Sequence, residues 1–200
     1  MKYPKLREIK KALSALFSKA YTTSFPFRPH IPFLSFRGKP YFYEKDCIGC
    51  GACVNVCPTG ALSMLDIKDK NGYKRILKIR WDICIECGQC QLNCLTEKGI
   101  ILSNEFDIST TEKRELLYQS IEKKLVTCEV CHQPIAPYDQ IIWTIKKLGP
   151  LYTSNTSLIA FTQEHIKLRE VFSFTAEEIG REDRFRILCS YCRRKAVVTS

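Results

Sequence analysis

The sequence predicts an α+β fold made of small, metal-stapled modules, on three observations. One face of the first twenty residues is apolar at helical spacing, two short strand-like segments flank an Asn71-Gly72 pair, and all twelve cysteines fall in groupings built on C-x-x-C. Two hundred residues make one medium domain or two small ones, and modules that small commonly need a covalent or metal staple. With no cysteine outside the pattern, metal binding fits the set better than disulfides. Thiolates kept for metals imply a reducing compartment, which places the chain in the cytosol.

Taken in order, residues 1–24 read as an amphipathic helix. Leu6, Ile9, Leu13, Leu16, Phe17 and Ala20 share one face, and Lys5, Arg7, Lys10, Lys11 and Lys19 occupy the rest. Such a basic helix lies on a membrane surface, docks in a partner's groove or covers its own core. Ser14, Ser18 and Lys19 interrupt its apolar stretch, so a cleaved signal is not expected, and no segment reaches the roughly 18 apolar residues of a membrane span. Residues 25–44 carry Pro26, Pro29, Pro32 and Pro40 among many aromatics, which predicts an extended arm.

Residues 45–105 form the next module. "ALSMLDI" (61–67) and "KRILKIRW" (74–81) read as two strands of a hairpin turning at Asn71-Gly72. A linker helix is expected over 106–126, from the capping-box spacing of Ser109 and Glu112 and the stripe Leu116, Leu117, Ile121, Leu125. In the final module, 127–200, "QIIWTIKK" (140–147) reads as a strand and "SLIAFTQEHIKLREVF" (157–172) as a helix.

The strongest chemical signal is an internal repeat. "CIGCGACVNVCP" places cysteines at 47, 50, 53 and 57, and "CIECGQCQLNC" repeats that spacing at 84, 87, 90 and 94. This C-x2-C-x2-C-x3-C run is that of bacterial four-iron sites, in which three thiolates converge from one loop and the fourth points to the other cluster. Cys47, Cys50, Cys53 and Cys94 are thus assigned to one [4Fe-4S] cluster, and Cys84, Cys87, Cys90 and Cys57 to a second, a bacterial-type 2[4Fe-4S] ferredoxin domain. Pro58 follows Cys57 as the pattern expects, but Leu95 follows Cys94, which touches the local turn and the cluster potential rather than ligation. Two adjacent one-electron centres make a relay. No dinucleotide fingerprint or nucleophile-base constellation accompanies them, so no catalytic site is expected in the chain itself.

Cys128, Cys131, Cys189 and Cys192 form two further C-x-x-C knuckles, a four-cysteine domain fit for one tetrahedral Zn2+ or, alternatively, a mononuclear iron. His132 is the alternative fourth ligand; His30 and His165 read as surface or packing residues, and Arg193, Arg194 and Lys195 as a basic contact or a solvated tail. The formal charge of +10 invites a nucleic-acid reading. Two four-iron clusters and a four-thiolate zinc, each near −2, would lower it to about +4, so no nucleic-acid partner is expected. A free soluble zinc-containing ferredoxin, or a nucleic-acid binder with structural metals, are the competing classes.

With these motifs assembled, the chain resembles the ferredoxin-like subunits of membrane-bound nickel-iron hydrogenase complexes, the family of formate hydrogenlyase subunit 6 and hydrogenase-4 component H. The matching stretches are "FRGKP" at 36–40, "CIGCGACVNVCPTGAL" at 47–62, "CIECGQC" at 84–90, "CEVCHQP" and "CSYCRRK". Its first half is also similar to the two-cluster subunit of complex I, which lacks the knuckle pair. The resemblance implies a relay between an electron-input iron-sulfur subunit and the hydrogenase small subunit, alongside the large subunit and membrane-arm subunits. It also implies a peripheral position on the cytoplasmic side of the membrane, touched through the N-terminal helix.

Overall fold

The computed structural model describes residues 5–19, 22–70, 72–111, 113–166 and 184–198. The chain divides into two compact units, Met1–Phe36 and Arg37–Ser200. In the first, the expected helix α1 spans Leu6–Phe17, and the Glu8 carboxylate accepts the Lys5 N–H at 3.0 Å to close its N-terminus. Its apolar face is Leu6, Ile9, Leu13, Leu16 and Phe17, all exposed.

The second unit is built on two antiparallel sheets. Strand β1 (Pro40–Phe42) pairs with β4 (Ile100–Leu102), so the start and end of the cluster module meet. The larger sheet has the order β2-β3-β5-β6, comprising β2 (Leu62–Asp69), β3 (Gly72–Arg80), β5 (Tyr118–Thr127) and β6 (Pro134–Pro137). Strands β2 and β3 are the expected hairpin, in register from Leu62 with Ile79 to Asp69 with Gly72. Two short helices, α2 (Ala52–Asn55) and α3 (Gln89–Leu92), each follow a glycine in the left-handed region, Gly51 at φ 79° and Gly88 at φ 80°. The repeat in sequence is therefore a repeat in backbone.

The expected linker helix over 106–126 is instead strand β5, whose residues Ile121, Lys123 and Leu125 turn inward with period two. It pairs with β3 (Leu77 opposite Ile121) and with β6 (Leu125 opposite Pro137), joining the cluster module and the knuckle segment in one sheet. The Gln119 side chain fastens β1 to it, accepting the Phe42 N–H at 2.8 Å and donating to the Phe42 carbonyl at 3.1 Å. Glu112 of the expected cap lies outside the described residues.

The strand expected at 140–147 is likewise helix α4 (Tyr138–Leu148). Tyr138, Ile141, Ile142 and Ile145 form one helical face, packed on Ala160 and Phe161 of α5 (Thr156–His165) and on Ile187. Asp139 in its first turn and Lys146 and Lys147 in its last suit the helix dipole. Helix α5 is the helix expected from Ser157; residues 167–172 of that expectation lie outside the described residues. The last described element is α6 (Ser190–Val198).

The main core lies between the large sheet and the two cysteine loops: Phe42, Leu62, Leu77, Ile79, Ile100 and Ile121 pack with Cys53 and Cys90. A second cluster gathers Cys128, Leu188, Cys192 and Ala196 around the knuckles.

Candidate metal centres

Local backbone explains how each loop aims its thiols. In the first, Gly49 (φ 72°) and Gly51 turn the chain twice within five residues, so that Cys47, Cys50 and Cys53 face one interior. In the second, Glu86 (φ 52°) and Gly88 make the same two turns for Cys84, Cys87 and Cys90. Glu86 thus holds a left-handed position that Gly49 holds in the other loop. A Cβ on Gly49 would come within 3.1 Å of Lys123 Cγ and of Pro137 Cγ, so the first loop packs tightly on β5 and β6.

Two cavities lie behind these loops. One is lined by Cys47, Cys50, Cys53 and Cys94 with Phe42, Leu77 and Ile100. The other is lined by Cys57, Cys84, Cys87 and Cys90 with Leu62, Ile79 and Leu102. Each fourth cysteine has crossed to the opposite triplet. Both cavities combine four thiols with an apolar wall, the donor set and dry surroundings that suit an iron-sulfur cluster. Cys53 and Cys90, the inner thiols of the two loops, are near enough that a charge on one weighs on the other.

The thiols differ in their surroundings. Burial pushes Cys53 up to about 12, with Cys47, Cys50 and Cys90 adding to the effect, and pushes Cys90 up to about 11. Burial also raises Cys47, against the Gly49 N–H and the nearby Lys123 ammonium. The two crossing thiols go the other way. Burial opposes ionisation of Cys57, but the N–H groups of Leu62, Thr59 and Ala61 with the Thr59 hydroxyl outweigh it and lower its pKa. Cys94 is lowered against burial in the same way, by the Thr96 hydroxyl and the N–H groups of Thr96, Gly99 and Ile100. Thr59 Oγ1 stands 3.7 Å from Cys57 Sγ, and Thr96 Oγ1 3.4 Å from Cys94 Sγ. The signal for these threonines was in the repeat, where each fourth cysteine is followed two residues later by Thr.

Charged side chains clamp the backbone at and beside the loops. Arg75 donates to the Gly49 carbonyl at 3.0 Å while Asp66 holds it in a two-pronged pair at 2.7 and 2.8 Å. Arg37 donates to the Cys87 carbonyl at 3.1 Å, and Lys123 to the Glu44 carbonyl at 2.6 Å. Leu95 lines the first cavity and is half exposed, in the place that Pro58 takes after Cys57.

The last four cysteines make a tighter site. The Sγ atoms of Cys128, Cys131, Cys189 and Cys192 all lie within 4.8 Å of one another, with Cys131 and Cys189 at 3.6 Å. A tetrahedron with zinc-sulfur bonds of ~2.3 Å has edges of roughly 3.8 Å, so the set suits a single ion. A four-iron cube, with an iron behind each thiolate, would need its sulfurs further apart. Among the described residues no other group of three or more such ligands converges in this way, and His132 is not part of it. The first knuckle is closed by Cys128 N–H to Gln133 O at 2.9 Å, and the second opens α6, where the Cys192 N–H points to Cys189 Sγ at 3.4 Å. Against its burial, N–H groups from Cys131, Cys189 and Val130 lower Cys128 to about 7, whereas burial and the neighbouring thiols push Cys192 up. A bound cation would replace the protons that this crowding retains.

Arg193, expected as a basic contact or solvated tail, instead donates to Asn155 Oδ1 at 2.8 Å and to the Ser157 hydroxyl, tying α6 to the start of α5. His165 stacks on Phe161 and meets the Tyr138 hydroxyl, a packing role.

Residues 46–98 match the family described as the 4Fe-4S dicluster domain. Formate hydrogenlyase subunit 6 of Escherichia coli K12 is 36% identical over 130 residues, covering 64% of this chain and 68% of that protein. The chain belongs to the formate hydrogenlyase subunit 6 family. Subunit I of the NAD(P)H-quinone oxidoreductase of Gloeobacter violaceus is 31% identical over 121 residues, and there this family member spans 57% of the relative's length. The NADH-quinone oxidoreductase subunit I 2 of Geobacter metallireducens is 25% identical over 121 residues, 58% of this chain and 92% of that one. A chain of the membrane-bound sulfane sulfur reductase, an archaeal respiratory membrane complex, superposes with a TM-score of 0.41 at 26% identity, over 57% of this chain and 61% of that chain.

Proposed function

We propose that this formate hydrogenlyase subunit 6 relative is an electron-transfer subunit of a membrane-associated hydrogenase or formate hydrogenlyase-like complex. The single observation behind this reading is the pair of adjacent cavities, each lined by three thiols of one loop and the crossing thiol of the other. Cys47, Cys50, Cys53 and Cys94 would hold one [4Fe-4S] cluster, and Cys84, Cys87, Cys90 and Cys57 the other. Such clusters, when bound, supply one-electron redox chemistry. The chain's part is to hold two such sites side by side, wall them with Leu77, Ile79 and Ile100, and set the charges around them. Cys128, Cys131, Cys189 and Cys192 would hold a redox-inert zinc, or a mononuclear iron, that fastens α6 to the rest of the unit.

The partners in this reading are an electron-input iron-sulfur subunit, the hydrogenase small and large subunits, and membrane-arm subunits. No described helix is long and apolar enough to cross a membrane. The exposed apolar and basic faces of α1 suit peripheral contact at the cytoplasmic side of the membrane or with a neighbouring subunit. The test is affinity purification from solubilised membranes with mass spectrometry and metal analysis. Copurifying hydrogenase subunits with about eight irons and about one zinc per chain support the proposal; recovery as a lone chain, or without iron, refutes it.

A further inference from the structure

Among the described residues, Lys123 is the one charged residue buried as a whole, backbone and side chain together, at 8% exposure. It occupies the inward position of β5 between Ile121 and Leu125, where an apolar residue would pack at no electrostatic cost. Its ammonium donates to the Glu44 carbonyl at 2.6 Å and to Asp139 Oδ2 at 2.9 Å, and its Cγ lies against the backbone of Gly49. The counter-charge is placed unequally: the Asp139 side chain is 47% exposed and screened by water, whereas the cation faces the protein interior. Lys123 also weighs on the Cys47 thiol, ahead of the neighbouring thiols Cys50 and Cys94.

The second loop has no equivalent among the described residues. Of its cations, Arg37 is exposed to solvent and donates to the Cys87 carbonyl, and Lys39, whose charge bears on Glu86 of that loop, is paired with Glu105 at 2.7 Å. Arg75, the other cation on the first loop, is neutralised by its two-pronged pair with Asp66.

Building on the dicluster reading, we propose that Lys123 is a positioning residue that selectively raises the reduction potential of the site formed by Cys47, Cys50, Cys53 and Cys94. An electron added there increases the site's negative charge by one, and a fixed, desolvated cation nearby stabilises that added charge. At the other site Lys123 is not among the main influences on Cys57, Cys84 or Cys90, so that potential stays in place. The carboxyl-terminal half therefore supplies the cluster module with a charge as well as a strand.

The test is an EPR-monitored redox titration of the full chain, with dithionite as reductant, on wild type, Lys123→Met and Asp139→Asn. One of the two reduction waves moves to more negative potential in Lys123→Met and to more positive potential in Asp139→Asn, and the other wave stays in place. Opposite shifts are a readout that loosened packing does not produce. If Lys123→Met loses its iron, the exposed Asp139→Asn position decides, and absence of an upward shift overturns the proposal. About eight irons per chain with both waves unmoved overturns it while leaving the dicluster reading intact; wild-type protein lacking two reducible centres overturns both.

Discussion

Gly49→Ala and Glu86→Gly probe the same turn in the two loops and should have unequal consequences, the first strongly destabilising and the second nearly neutral. At Gly49, φ is 72°, a conformation that costs an L-residue roughly 1–2 kcal/mol. The new Cβ would also press on Lys123 Cγ and Pro137 Cγ at 3.1 Å, an overpacking worth about 1 kcal/mol, the low end for a buried site. Together they destabilise the folded chain by about 2–3 kcal/mol, which speeds opening roughly 30- to 150-fold if the strain is released on the way. Glu86→Gly removes about 1 kcal/mol of left-handed strain and returns about 0.4–1 kcal/mol as extra freedom of the unfolded chain, leaving it within about 0.5 kcal/mol of wild type. Cluster loss makes unfolding irreversible, so the measurement is the half-time for bleaching of visible absorbance at fixed urea. Gly49→Ala bleaching at the wild-type rate, or Glu86→Gly bleaching as fast as Gly49→Ala, would refute the reasoning.

Thr96→Val removes the hydroxyl 3.4 Å from Cys94 Sγ and should lower one potential by on the order of 20–40 mV, one weak hydrogen bond in a one-electron couple; an unmoved potential shows that the hydroxyl does not donate to the sulfur. Cys128→Ser should lose about one metal equivalent per chain, keep the irons, and open the segment after Thr127 to protease, whereas unchanged metal content would place the ion elsewhere. Asp66→Asn should cost about 1 kcal/mol at pH 7, a partly solvated pair discounted accordingly, read as a several-fold faster bleaching. The Arg75 pair holds the Asp66 carboxyl below its ordinary 3.8. The stability it contributes is therefore full above that value and is lost only as pH falls through the lower native pKa. The wild-type to Asp66→Asn rate ratio is expected to stay constant from pH 8 to pH 5, and narrowing within that range contradicts the assignment.

Cysteine spacing made the sites legible because each loop is local: three thiols within seven residues can converge by turn geometry alone. The β2–β3 hairpin was legible for a similar reason, since alternation and the Asn-Gly pair agree. Strand β5 was not, because Ile121 and Leu125 are four apart, a separation that suits either period. The residue that would have revealed alternation, Lys123, is a charge in an inward position. Helix α4 was hidden by composition: Ile, Trp and Thr favour strands in isolation, while the 138, 141, 142, 145 spacing that decides for a helix acts through tertiary packing on α5. The clamps were unreadable on principle, since Arg75 and Gly49 meet across 26 residues, and Lys123 and Glu44 across 79.

Strand β5 has a practical consequence for dissecting the chain. A fragment ending near residue 105 would keep all eight ferredoxin-type cysteines and look self-sufficient on paper. It would nevertheless strip β3 of its neighbour, uncover Leu77 and Ile79, and leave a raw hydrogen-bonding edge beside both cavities. The smallest excisable iron-sulfur unit thus runs through β6, and a shorter cut is an invitation to aggregate.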